Sequence, residues 1–130
     1  MTQPERFPHD DPREWMNRAR ANLARAMRRS PEDYLEDLCF DAQQAAEKAL
    51  KAVMIKRDID FPYVHDLNRL MSILEQDGET MDEGIRLAGL LTKYATVIRY
   101  PGGHEPVSEQ AYADAVRIAE AVVRWAEGRL

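Results

Sequence analysis

The feature that most constrains this chain is the apolar spacing that follows Ser30-Pro31. Leu35, Leu38, Cys39, Ala42, Ala46, Ala49 and Val53 recur at intervals of three and four, which puts them on one stripe of an α-helix turning about 100° per residue. A one-sided helix must bury that stripe against other elements. Ser30-Pro31-Glu32-Asp33 ahead of it offers a cap, a proline at the first helical position and an acid three residues on, a variant of the capping box. The helix is expected to reach about Arg57, where Asp58-Ile59-Asp60-Phe61-Pro62 breaks it.

The remaining punctuation is also helical. Residues 1–10, with Pro4 and Pro8, read as a flexible N-terminal arm, and residues 11–130 as a single domain. Asp11 caps a first helix with Pro12 at its first position and Trp15, Met16, Ala19, Leu23, Ala26 and Met27 on one side, ending near Arg29. A short helix starts near His65 or Asp66, carries Leu67, Leu70, Met71 and Leu74 inward, and stops at Asp77-Gly78. Thr80 and Glu83 suggest a capping box for a helix through Leu87, Leu91, Tyr94 and Ile98 that Pro101-Gly102-Gly103 ends. Ser108 caps a last helix with Tyr112, Ala115, Val116, Ala119, Val122 and Ala126 on a broad face. With no competing strand pattern and no internal repeat, the expected fold is all-α: an antiparallel up-and-down bundle of four main helices and one short one.

Composition removes several function classes. No apolar run approaches the roughly 20 residues that span a bilayer, and the polar start is not a signal peptide, so the default location is cytoplasmic with no membrane partner. Cys39 is the only cysteine, which excludes an intrachain disulfide and a cysteine-based zinc cluster; it reads as a buried structural thiol. His9 shares no ligand spacing with the other histidines, and there is no P-loop or dinucleotide fingerprint, so neither metal nor cofactor is expected. The net charge of −5 gives no general attraction for nucleic acid, but binding follows the local potential. Arg18, Arg20, Arg25, Arg28 and Arg29 lie in a stretch free of acids from Trp15 to Pro31, either a basic patch or cations complementing a helix C-terminus.

Two surfaces exceed what a core needs. Phe40 projects about 140° from Leu35, beside Gln43, Gln44, Glu47 and Lys51; it is either a lone exposed aromatic or, with Gln44 and Lys51, part of a dimer or partner interface. Gly89, Thr92, Thr96 and Arg99 form a small-residue stripe leading to an arginine, a groove for a ligand or a close helix contact. Asp41 and Lys48 fall within about 20° of one another two turns apart, available to a nucleotide or simply solvated. His65-Asp66 is a helix cap or a proton-transfer pair.

Arg99 and His104 flank Tyr100-Pro101-Gly102-Gly103. A permanently cationic fork and a group that exchanges protons near neutral pH, folded back on each other, suit a phosphate ester: histidine as general acid or base, arginine stabilising transition-state charge.

The tryptophan-led first helix, the run Cys39-Phe40-Asp41-Ala42-Gln43-Gln44-Ala45-Ala46-Glu47-Lys48-Ala49-Leu50-Lys51-Ala52, the triplet His65-Asp66-Leu67, and Tyr94 with Arg99-Tyr100-Pro101 together resemble the HEPN domain family over about Trp15 to Trp125. The resemblance implies an up-and-down bundle, commonly a homodimer, often associated with a separately encoded minimal nucleotidyltransferase in prokaryotic two-gene modules. Ribonuclease members carry R-x4-6-H with a small polar residue after the arginine; Arg99 and His104 match its ends, and Tyr100 departs from the polar position. The implied function is a nucleotide- or RNA-binding accessory protein of a toxin–antitoxin-like module, with Arg99, Tyr100, Thr92, Thr96, Lys48 and Asp41 toward the ligand. A metal-independent endoribonuclease using Arg99 and His104 is the alternative, and a non-catalytic dimerisation module a further one.

Overall fold

The computed structural model describes residues 2–96, 101–102 and 105–130. In these residues the chain is helical with no strand: α1 (Pro12–Met27), α2 (Leu35–Lys56), α3 (Leu67–Gln76), α4 (Glu83–Arg86) continuing as a 3₁₀ helix (Leu87–Ala95), and α5 (Glu109–Glu127). α2 is the spine. α1, α3, the 3₁₀ helix and α5 all pack on it, and Cys39, Ala42, Ala45, Ala46, Ala49, Leu50, Ala52 and Met54 lose all contact with solvent. The short alanine side chains let neighbouring helices approach the backbone of α2, and Met16, Leu67, Leu70, Leu74, Leu91 and Val122 fill the remaining space.

Local chemistry accounts for most boundaries. Asp11 accepts from the Arg13 N–H with Pro12 at the first position, Asp66 accepts from Asn68 N–H, and Ser108 accepts from Ala111 N–H. α2 ends with the Asp58 N–H on the Ile55 carbonyl and the Ile59 N–H on the Met54 carbonyl, a reversal that holds Asp58 at φ +57°. α3 ends the same way around Gly78, at φ +102°, where glycine adopts the left-handed backbone without strain.

Four expectations are corrected. Ser30-Pro31-Glu32-Asp33 does not open α2: Asp33 N–H donates to the Ser30 carbonyl at 3.1 Å and the Asp33 carboxylate accepts the Ser30 N–H at 2.8 Å, which closes a separate turn, and the helix starts after Tyr34. Asp82, not Thr80, caps α4, because its carboxylate stands directly before the helix and accepts the Ile85 N–H at 3.0 Å. The fourth helix is not one α-helix. From Leu87 it winds as a 3₁₀ helix, whose three-residue turn aligns Ile85, Ala88, Leu91 and Tyr94 inward and leaves Leu87 exposed. Met27, expected inward, is exposed where α1 stops. Ile98 lies outside the described residues.

The arm expected to be loose is tied to α1. Trp15 Nε1 donates to the His9 carbonyl at 2.6 Å, Asn17 donates to the Glu5 carbonyl at 2.9 Å, and the Phe7 N–H donates to Glu14 at 2.9 Å.

The close packing on α2 has a direct test. Ala46→Leu adds volume at a position with no free space, and we expect it to lower unfolding free energy by roughly 1–3 kcal/mol in urea titrations. An unchanged midpoint would contradict the packing described.

Candidate functional site

α2 has a second, polar stripe. Gln43, Glu47 and Lys51, spaced by four, are all buried. Glu47 Oε1 accepts from Gln43 Nε2 at 2.9 Å and lies 2.9 Å from His65 Nδ1, while Glu47 Oε2 accepts from Lys51 Nζ at 3.0 Å. Gln44 Nε2 donates to Gln43 Oε1 at 2.7 Å. Burial alone would push the Glu47 carboxyl up, but the Gln43, His65 and Lys51 donors outweigh it and hold the group below its ordinary value. The Lys51 ammonium lies 5.0 Å from the Phe61 ring and 5.9 Å from the Trp15 ring, and those rings meet edge to face at 5.5 Å. Lys51, expected on an outward interface with Phe40, is therefore covered by its own chain: α1 and the α2–α3 connection close over it. Phe40 is half-buried.

One residue along, Lys48 turns to a different environment. Its ammonium donates to Asn22 Oδ1 at 2.8 Å, Asn22 Nδ2 donates to Asp41 Oδ1 at 2.9 Å, and Arg25 Nε reaches the same Asp41 oxygen at 3.3 Å. The structure thus brings Lys48 and Asp41 together through Asn22, a residue sequence reasoning missed; its buried place on α1 between Ala19 and Ala26 was the only signal. Burial, with the Arg25 and Arg18 charges adding to it, pushes Lys48 below the ordinary lysine range, against the pull of Glu47 and Asp41. Next to Lys48 opens a cavity of about 380 Å³ lined by Phe7, His9, Glu14, Trp15, Arg18 and Lys48.

The basic run divides by partner. Arg20 pairs with Glu127, tying α1 to α5, and Arg29, two residues past α1, pairs with Glu109 at the start of α5; Arg18 pairs with Glu14 and Arg25 with Asp41, and both charges act on Lys48.

The small-residue stripe is partly occupied. Thr92 Oγ1 accepts the Leu67 N–H at 3.1 Å, and a Cβ on Gly89 would come within 2.2 Å of Asn68 Oδ1; both therefore seat the first turn of α3 against the 3₁₀ helix. Thr96 is exposed at its end. Arg99, Tyr100 and His104 lie outside the described residues. Asp66 caps α3, and His65 pairs with Glu47 rather than with Asp66. Burial pushes the Cys39 thiol up to about 11, so it remains protonated at neutral pH and is no nucleophile. Among the described residues no three His, Cys, Asp or Glu side chains converge as metal ligands, and no helix is long and apolar enough to cross a membrane.

The HEPN domain model matches residues 12–129, nearly the whole chain. The chain belongs to the HEPN domain family. Two solved structures bear out the fold of this HEPN domain. TT1696 from Thermus thermophilus is 27% identical, with a TM-score of 0.71 over 92% of this chain and 98% of its own. ST0689, an archaeal HEPN homologue, is 25% identical, with a TM-score of 0.72 over 91% and 96%. No curated protein matches the chain.

The buried Glu47 anion makes stability pH-dependent. Its folded value is depressed, so its contribution is complete above the ordinary 4.5 and is lost as pH falls through the lower folded value. Glu47→Ala, which strands Lys51 without a counter-charge, is expected to lower stability by about 3–5 kcal/mol at pH 7, with the gap to wild type narrowing toward pH 3. Urea titrations at both pH values check this; a pH-independent gap would contradict it.

Proposed function

We propose that this HEPN protein is a nucleotide- or RNA-binding accessory protein, a homodimer that works beside a minimal nucleotidyltransferase in a toxin–antitoxin-like two-gene module. The observation that carries the binding part is the α1–α2 seam. In a chain of net charge −5, Arg18 and Lys48 line one open cavity, the Arg25 charge acts on Lys48 from beside it, and Lys48, unlike Arg18 and Arg25, has no carboxylate within ion-pair distance among the described residues. A phosphate supplies the missing counter-charge. Asp41 acts through Asn22 and Arg25, positioning the seam instead of touching the anion. Arg99, Tyr100 and Thr96 also contribute to ligand binding in this reading, and Phe40 and Gln44 to the dimer contact.

Fluorescence anisotropy with a labelled single-stranded RNA tests the reading. Affinity should fall as salt rises, and Lys48→Met should weaken it by about tenfold, the loss of one charge-assisted contact. No binding at low salt, or binding indifferent to Lys48, would contradict it. A second reading rests on the match of Arg99 and His104 to the ends of R-x4-6-H: a ribonuclease needing no metal. It predicts RNA cleavage in chelator that His104→Ala abolishes while the helical circular dichroism persists; equal cleavage by that variant would remove it.

A further inference from the structure

We infer that the cavity between the N-terminal arm, α1 and Lys48 is a pocket for one nucleoside monophosphate unit, its phosphate on Lys48 and Arg18 and its base against Trp15 and Phe7. This rests on the phosphate-binding reading above and narrows it to a terminal phosphate monoester carried on an aromatic base. The same unit is offered by a free mononucleotide and by the 5′ end of an RNA chain.

A cavity of about 380 Å³ lies in the range of small-ligand pockets, room for one nucleotide unit.

Lys48 is half-buried and its ammonium has one hydrogen bond among the described residues, to the neutral Asn22 amide. Arg25 and Arg18 press on it with like charge. A cation held this way, desolvated and without a counter-ion, is costly unless an anion joins it. Arg18 reaches Glu14 through Nε at 2.6 Å, and its terminal nitrogens make no hydrogen bond among the described residues. An ammonium beside an arginine edge suits the tetrahedral oxygens of a phosphate. Glu14, also on the wall, would repel that phosphate if it were unpaired. Its charge is offset by Arg18 and its other oxygen accepts the Phe7 N–H, which leaves Lys48 as the uncompensated charge of the cavity and the place for an anion.

The walls distinguish a nucleotide from bare phosphate. Trp15 is fixed by its indole N–H on the His9 carbonyl and by its edge-to-face contact with Phe61. Phe7 is fixed by its N–H on Glu14 and by the Arg13 guanidinium 4.0 Å from its ring centre. Aromatic rings already held in position take a base with little ordering cost.

Calorimetric titration of the full chain with each of the four nucleoside monophosphates, with adenosine and with inorganic phosphate is the test. At least one monophosphate should bind one per chain, with adenosine and inorganic phosphate each at least about tenfold weaker. Lys48→Met and Arg18→Met should each weaken the monophosphate by about tenfold while thermal melts monitor folding; Arg18 is exposed, so its variant reports on binding even if Lys48→Met melts early. Monophosphate and nucleoside binding equally, or both variants binding like wild type, would overturn the pocket. Short RNAs with and without a 5′ phosphate separate the sources: preference for the phosphorylated end assigns the pocket to RNA termini, and monophosphate binding without that preference assigns it to free nucleotide. RNA that binds regardless of its 5′ phosphate and is not displaced by any monophosphate would overturn the pocket and leave the broader RNA-binding reading standing.

Discussion

The ionised carboxylate of Glu47 is the interaction on which the rest depends. A helix buried on most sides is expected to be apolar all round, yet α2 carries Gln43, Glu47 and Lys51 into the interior. Their burial is tolerable because every partner is present: the Gln43 amide, the Lys51 ammonium and the His65 imidazole surround one carboxylate. Each partner fixes a different part of the fold. Lys51 carries its charge to the rings of Trp15 on α1 and Phe61 before α3, and His65 anchors the connection that leads to the Asp66 cap. The path of α1 and the start of α3 are thereby set against the spine.

The neighbouring residue shows the contrast that gives the seam its chemistry. Glu47 is buried with its full set of partners, whereas Lys48, one position on, is half-buried among arginines with a single neutral acceptor. Arg20 and Arg29 are drawn to Glu127 and Glu109 of α5, while Arg18 and Arg25, paired with Glu14 and Asp41, stay close enough to act on Lys48. The arm completes the arrangement. By lying along α1 it brings Phe7 and His9 to the cavity beside Lys48.

The helical class, the stripe of α2 and the caps at Asp11, Asp66 and Ser108 were legible because each depends on residues within one turn of each other. The starts of α2 and α4 were not, since Asp33 turns back onto the Ser30 N–H to close a separate turn and Asp82, two residues beyond Thr80, takes the Ile85 N–H. The register of the fourth helix was hidden because 100° spacing does not anticipate a 3₁₀ winding. At the site, helical spacing alone paired Asp41 with Lys48, but Asn22 joins them from another helix and no spacing within α2 points to it. The Gln43, Glu47, Lys51 stripe resembled a solvated face. Its burial follows from Trp15 and Phe61, which lie far away in the chain. The interval of four between those polar residues, followed by an aromatic-flanked His65, was the available clue.

The chain contains two tryptophans, one on the cavity wall and one on α5, and their indole N–H signals offer a direct reading of where a ligand sits. Proton–nitrogen correlation spectra recorded during titration with a nucleoside monophosphate should show the Trp15 indole signal, whose N–H is held by the His9 carbonyl, moving to saturation while that of Trp125 stays in place. A saturating titration that leaves Trp15 unmoved would contradict the assignment of phosphate recognition to the seam between α1 and α2.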